Sequence, residues 1–409
     1  MVSVVEQELG LVDPKSVAYW QDTIGTVAAL REQWPVVRST AGDFEVLRYD
    51  DVERLLRDGR MHQALSAMLA NQGITSGPLY DWWQLIPNNH DAPTHTRLRS
   101  IIGRAFTPKQ VRAIRARIRE VANDLIDRQG DGVVECDVVA GLCHRLPLIV
   151  LCEMLGVPAD DIDRFETWTT AVNTAFTAVI PKEKRPWIED CLVQFNAYVD
   201  ELVDDRRADL NDDLLSALIE AQEAGDRLNA EELRALVINL LFAGHDTTKS
   251  LLGIGMWLVA THPDQLERVR ADRTLVESAV EEIARYETPI SGIPRIAAED
   301  IVVADVTMPA GSYVTLSIPS ANRDPRRFDN ADVFDVARED NRNLTFGFGV
   351  HHCIGAAIAR AEVQETVAVV VERCLDIETV LHEPSWVPFV GTRRLDTLPL
   401  RMRVLPRAG

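Results

Sequence analysis

The sequence contains no C-x-x-C pair among its six cysteines (Cys136, Cys143, Cys152, Cys191, Cys353 and Cys374), which leaves neither a zinc ribbon nor a thioredoxin-like motif. Six cysteines in 409 residues do not make a disulfide scaffold either, and most of them read as small buried hydrophobes. Repeats, low-complexity tracts and Gly/Ser linkers are missing, so no boundary divides residues 1–409 and they read as a single domain. The N-terminus lacks a basic segment followed by an apolar run, so no signal peptide is expected. The longest apolar stretches, 236–244 and 251–260, are separated by His245, Asp246 and Lys249 and fall short of the roughly 18 residues a membrane span needs. The expectation is a cytoplasmic protein without a membrane anchor. Basic residues are outnumbered, 43 Lys and Arg against 63 Asp and Glu, and the net charge of −20 speaks against nucleic-acid binding. With 46% apolar and 26% charged residues, the chain has the composition of a folded protein.

Helical periodicity dominates what is present. It predicts helices over 50–57, 94–105, 108–129, 138–155, 159–178, 186–208, 211–223, 230–260, 263–270, 274–287 and 356–374. Strand patterns are short: 36–38 and 44–48, then 294–318, with a return at 398–404. The fold class is mainly α with minor β. The helix over 230–260 opens on an Asn229/Glu232 capping-box pattern, and about 31 residues at 1.5 Å each reach about 46 Å. It is apolar on nearly every face, yet Ala243-Gly244-His245-Asp246-Thr247-Thr248 interrupts it with a glycine and polar groups that cost stability in a buried helix. Either threonine-to-carbonyl hydrogen bonds satisfy a kink there, or the helix crosses a site that needs an acid–alcohol pair. In the 274–287 helix, Thr274 and Glu277 form a capping-box pattern. Glu282 lies on the apolar stripe with Arg285 three residues on, and an inward carboxylate of this kind needs a partner.

The run from Phe346 to Gly355 (FGFGVHHCIG) sets glycines and aromatics before Cys353, with a long Ala/Val helix after it. A thiolate at a helix N-terminus is stabilised by the dipole and free N–H groups, and glycines allow close approach of a flat ligand. Three chemistries fit: a Cys–His hydrolase using His351 or His352, a His–Cys metal site, or the axial thiolate of a haem iron.

Phe346, Gly349, Cys353 and Gly355 fill F-x-x-G-x-x-x-C-x-G, which resembles the haem-thiolate signature of the cytochrome P450 family. Four further segments resemble that family in its order. They are His95–Arg99 with Ala105–Pro108 (HTRLR…AFTP), Ala243–Thr248 (AGHDTT), Glu282–Arg285 (ExxR), and Asn322–Pro325 with Phe334, Asp335 and Arg338. The departures are Ala331, where many members have proline, and His352, where an aromatic is common.

The resemblance implies the cytochrome P450 fold, with haem b between the long central helix and the Cys353 loop. It implies Cys353 as the metal ligand, His95, Arg99, Arg295 and His351 on the haem propionates, and Phe346, Gly347 and Gly355 forming the cofactor loop. Glu282, Arg285 and Arg338 would make a structural triad. Asp246 and Thr247 would relay protons to oxygen, and Gly244 would make room for it. Stepping back from Thr247 by helical turns brings Ala243, Phe242 and Asn239 onto the substrate face, to which Trp82, Trp83, Ile290, Ile293 and Phe389 are added by position. Arg393 and Arg394 read as a solvated turn. The implied activity is a monooxygenase that uses O2 and two electrons, from NAD(P)H through a reductase and a ferredoxin, to hydroxylate or otherwise oxidise a small to mid-sized apolar molecule of natural-product biosynthesis or catabolism. A monomer is expected. Arg97, Arg104, Arg112, Arg115 and Arg117 would make a basic patch for an acidic ferredoxin. The competing reading is a haem carrier or sensor without turnover.

Overall fold

The computed structural model describes residues 8–106, 108–177, 180–211, 213–223, 228–380, 383–388 and 391–407. The central helix, Ala230–Thr261, runs through the molecule. Its start is as the sequence reads: Asn229 accepts from the Glu232 N–H while the Glu232 carboxylate accepts from the Asn229 N–H, which satisfies two end donors reciprocally. Twenty of its residues are buried, because helices pack against both of its halves. Arg145–Met154 and Ile162–Ala175 pack on its first half with Arg185–Ala208, and Val276–Tyr286 and Ala356–Arg373 pack on its second. Two apolar cores result, one around Trp83, Phe165, Phe195 and Leu236, the other around Ile118, Leu251, Val280 and Val370.

The β portion lies to one side. Six strands run in the order Leu11–Val12, Val36–Ser39, Phe44–Val46, Tyr313–Leu316, Ile293–Ala297 and Met61–Gln63. Their inner face forms a third core with Phe44, Val314 and Phe328. A second sheet joins Cys374–Thr379, Pro399–Val404 and Gly132–Asp137. The last of these had no strand signature in the sequence, because its Val133 is exposed and Val134 only half-buried on an edge strand.

Two predicted boundaries move. The 138–155 segment divides into a wide turn, Val139–Cys143, and the helix Arg145–Met154, with His144 at the junction. The 274–287 helix begins at Val276. Asp272, not Thr274, accepts the terminal N–H, since Thr274 lies inside a short tight turn. Thr107 and Phe389 lie outside the described residues.

Glu45 sits in the strand Phe44–Val46, is 5% exposed, and has one carboxylate oxygen without a partner. Burial pushes its carboxyl from 4.5 up to about 7, against a weaker downward pull from Ser317. The folded state therefore holds a proton that the unfolded state releases, and stability falls as pH rises from about 4.5 to 7. At 1.36 kcal/mol per unit the loss is on the order of 3 kcal/mol. Denaturant melts of Glu45→Gln at pH 5 and pH 8 are expected to lack most of this difference; an unchanged difference would remove Glu45 as its source.

Candidate active site

The Cys353 loop is shaped by two glycines with left-handed backbone, Gly347 (φ 69°) and Gly349 (φ 75°). A Cβ on Gly349 would stand 3.0 Å from the Leu56 carbonyl oxygen, so packing against the helix Tyr49–Arg57 also leaves little room for a side chain there. The Cys353 N–H donates to the Phe346 carbonyl at 2.8 Å and closes the loop. The Phe346 ring lies 4.1 Å beneath the Arg360 guanidinium. The cysteine side chain keeps one open face, while protein crowds the others. Burial pushes the thiol up, whereas the N–H groups of Gly355 and Ala356 and the guanidinium groups of Arg99 and Arg360 pull it down. The helix-end donors expected from the sequence are in place, but burial outweighs them, so the net direction is upward.

Four groups that carry or accept positive charge gather beside the loop. The His95 and His351 rings stand 3.9 Å apart, Arg99 donates to the His352 carbonyl, and Arg295 is buried with bonds to Gln63 at 3.3 Å and the Pro294 carbonyl at 2.9 Å. Burial, with His95 and Arg295 nearby, drives His351 down to about 4, and burial drives Arg295 down to about 10. Among the described residues one carboxylate faces this cluster, Asp91, 3.7 Å from His351. The Gln63 amide nitrogen is buried without a partner beside Arg295. Such a set is short of negative charge and of acceptors.

The Glu282 carboxylate is fully buried and saturated. It accepts from Arg285 at 2.7 and 2.8 Å, from Arg338 at 3.1 and 3.2 Å, from Asn341 at 2.9 Å and from the Asp335 N–H at 2.9 Å. Arg285 then donates to the carbonyls of Asn322, Ala331 and Val333. The grouping expected of Glu282, Arg285 and Arg338 is present, and Asn341 joins it unannounced by any motif.

On the central helix, Phe242, Ala243, Gly244 and Thr247 are only partly covered while their neighbours are buried, so this face borders open space. Phe242 stacks on Phe176 at 4.4 Å, and Ile354 packs against the same apolar core. Thr247 donates to the Ala243 carbonyl at 2.7 Å, a side-chain bond to the carbonyl four residues back within an unbroken helix. A Cβ on Gly244 would come within 2.8 Å of Leu151, so helix packing also requires the glycine. Asp246 is 2% exposed. Asn173 and Thr392 each donate to it at 2.5 Å, Arg394 lies at 3.3 Å and Lys249 at 3.5 Å. Burial opposes its charge, and Arg394, Lys249 and Thr392 more than compensate, so its carboxyl is lowered. Arg394 is therefore an internal counter-ion, and Arg393 pairs with Glu287 at 2.5 Å under the Trp386 ring; neither is a solvated turn.

Trp83 is fully buried, donates to the Leu65 carbonyl and stands 4.3 Å from Phe176. Trp82 is buried with its N–H unpartnered. Asn239 is buried without a protein hydrogen-bond partner among the described residues. Ile290 and Ile293 line the sheet-side core, which the bridge from Ile290 to Thr392 ties to the Asp246 partners. The arginine patch is largely neutralised: Arg97 pairs with Glu232, Arg115 with Glu365 and Arg117 with Glu153 and Glu120. Arg112 stays exposed with no carboxylate partner among the described residues. One buried group escaped notice: Glu362 on the cysteine helix, which burial pushes up to about 8 and Thr248 pulls down. The argument that singled out Glu282, a carboxylate on an apolar stripe, applies equally to Glu362.

The profile of the family described as Cytochrome P450 matches residues 46–377. The chain belongs to the cytochrome P450 family. It is 37% identical over 400 residues to Cytochrome P450 107B1 of Saccharopolyspora erythraea, covering 94% of this chain and 96% of that one. It is 34% identical to 6-deoxyerythronolide B hydroxylase of the same organism, covering 95% and 98%. The structure of the Bacillus subtilis bacillaene polyketide synthase cytochrome P450 PksS superposes with a TM-score of 0.86 at 30% identity, covering 95% and 99%. This chain is accordingly a haem monooxygenase, an enzyme that takes O2, electrons from a redox partner and a small-molecule substrate. No helix among the described residues is long and apolar enough to cross a membrane.

Removing one member of the buried pair leaves an unpaired charge, at a cost of about 3–5 kcal/mol. Arg285→Ala is expected to lower the denaturation midpoint accordingly and to release the Asn322–Val333 carbonyls. A midpoint within error of the parent would show the cluster to be dispensable.

Proposed function

We propose that this cytochrome P450 hydroxylates a neutral, largely apolar polyketide or related natural product, with Cys353 as the axial ligand of haem b. The observation that carries the haem assignment is the unbalanced cluster of His95, Arg99, Arg295 and His351 beside an open-faced cysteine. A pair of propionates would supply the negative charge and acceptors this cluster lacks, including a partner for the Gln63 amide. The donor set therefore fits the group. Phe346, Gly347 and Gly355 would bound the cysteine loop, and the backbone N–H groups of Gly355 and Ala356 would temper the thiolate. When bound, haem would supply the activation of O2 and the insertion of one of its atoms into a C–H bond, the other leaving as water, with the thiolate donating electron density.

The other roles belong to this chain's own side chains. Thr247 would present its hydroxyl to the oxygen site, Asp246 would hold the charge network behind it, and the small Gly244 would keep the helix wall thin there. Phe242 and Ala243 would give an apolar wall, with Ile290 and Ile293 opposite and Trp82 and Trp83 further out. Asn239 would offer an amide to a substrate oxygen. The substrate class is supported by the relatives: one is a 6-deoxyerythronolide B hydroxylase and another belongs to a polyketide synthase system. Neutrality is supported by Arg394, Lys249 and Asp246, which satisfy one another. Electrons would come from NAD(P)H through a reductase and a ferredoxin, with a monomeric cytoplasmic enzyme. The paired state of Arg97, Arg115 and Arg117 confines the basic docking surface to a smaller area than the sequence suggested.

The reduced protein is expected to give the red-shifted carbon monoxide band of a thiolate-ligated haem, and Cys353→Ala to lose it; survival of the band in the variant would refute the ligand. A panel of macrolactones, screened by the haem spin-state shift, is expected to yield binders where carboxylic acids and amines of similar size do not. Thr247→Ala is expected to divert reducing equivalents to peroxide while substrate still binds. Unchanged product per NADH would exclude the hydroxyl from proton delivery.

A further inference from the structure

Asp246 is badly placed to give up a proton. Two hydrogen bonds at 2.5 Å and two cations hold it as an anion, and they occupy the lone pairs of both oxygens. Its four partners differ in what they can do. Arg394 does not lose a proton in a protein, and the Asn173 amide and the Thr392 hydroxyl do not titrate near neutrality. Lys249 differs from them: burial makes an ammonium on a flexible stem easier to deprotonate. Its side chain is 15% exposed, and burial together with Arg394 lowers its basicity against the upward pull of Asp246 and Glu166.

Behind Lys249 the ionisable groups continue outwards. His144, at the junction after the wide turn, has its Nε2 3.1 Å from a Glu166 oxygen, an ion-pair approach without hydrogen-bond geometry. The His245 ring stands edge-on to it at 4.7 Å, and the His245 Nε2 lies 3.1 Å from the His144 carbonyl. The Lys249 ammonium is near enough to both rings to lower their basicity, His144 chiefly through burial and then Lys249. Glu166 faces Arg145 at 3.1 Å, which also holds Asp163, and is open to solvent. Side-chain exposure rises along the series, 3% at Asp246, 15% at Lys249, 16% at His144 and 40% at Glu166. The series is graded from interior to surface, with a titratable group at each stage.

We propose that Lys249 is the proton-relay residue for the oxygen site, recharged from solvent through His144 and Glu166, with Asp246 fixing its ammonium. The step balances simply. An Nζ–H bond breaks as an O–H bond forms on a water or hydroxyl that Thr247 orients; the electron pair stays on nitrogen. The amine then takes a proton from the His144 imidazolium, which regains one from water at Glu166. His245, driven down to about 3, stays neutral and serves as packing for His144.

The proposal rests on the haem-monooxygenase reading, and the carbon monoxide band of each variant reports on that reading separately. In the full haem-loaded chain, kept diamagnetic as the reduced carbon monoxide complex, histidine NMR follows the His144 titration. Lys249→Met is expected to raise its midpoint and Glu166→Gln to lower it; unmoved midpoints would overturn the relay. Peroxide released per NADH oxidised is then measured without substrate, using a surrogate ferredoxin and its reductase. Lys249→Met and Lys249→Arg are both expected to raise it by at least about threefold, since arginine keeps the charge but releases no proton. Restoration of the parent ratio by Lys249→Arg would reduce Lys249 to a counter-ion and overturn the proposal. If neither Lys249 variant folds, Glu166→Gln decides the matter: it is expected to flatten the pH dependence of peroxide yield between about pH 6 and 8, and a parental profile would overturn the path.

Discussion

The Glu282 carboxylate is the constraint on which the site depends. It is a charge with no access to water, so its lone pairs must be filled by protein donors, and the donors come from two separated stretches of chain. Arg285 on its own helix, Arg338 and Asn341 on the long irregular segment, and the Asp335 N–H all converge on it. The same arginine organises the carbonyls of Asn322, Ala331 and Val333. Asn322 then bonds the Leu344 N–H and Thr345, and Thr345 returns a bond to the Ala284 carbonyl. One buried ion pair thus sets the conformation of some twenty residues that have no regular structure and lead directly into the Cys353 loop. Such a pair is weak evidence for net stability, because hydrophobic replacements of equal volume do as well. Its value here is that it gathers the carbonyls and donors of the irregular segment around one point.

A second buried carboxylate works differently. Asp246 lies in the middle of the unbroken central helix and ties it to the end of Ile162–Ala175 through Asn173 and to the segment 392–394 through Thr392 and Arg394. The Asp246 side is held by charge pairing, where the cysteine side is held by backbone carbonyls. The cation beside it is a lysine, which titrates, as well as an arginine, which does not. That difference separates an electrostatic clamp from a group able to move protons.

Much of this was legible in the chain, for identifiable reasons. Glu282 and Arg285 announced themselves because a carboxylate on an apolar helical stripe cannot be left unpaired. Cys353 stood apart from the other cysteines because glycines and aromatics precede it and a helix follows. Asn229 and Glu232 marked the start of the central helix because their reciprocal bonds lie within one turn. Glu362 carried the same stripe signal as Glu282 and was overlooked. The Gly132–Asp137 strand was not legible, since an exposed edge strand needs no alternation to be stable, and pairing with Pro399–Val404 lies far along the chain.

By itself the sequence determined the features that depend on neighbours within a turn or two of backbone. These are the helices, their caps, the glycine-bounded cysteine loop and the need for partners at Glu282 and Asp246. Only the tertiary structure decided who those partners are. Arg394 and Thr392 reach Asp246 across nearly 150 residues, Asn341 reaches Glu282 across 59, and the arginines expected to face a redox partner are spent on Glu232, Glu365 and Glu153. The physical reason is one of range. Hydrogen-bond and periodicity rules act over a few residues, whereas a buried charge is satisfied by whatever the packed chain brings within about 3 Å, and that proximity is not written in any local pattern.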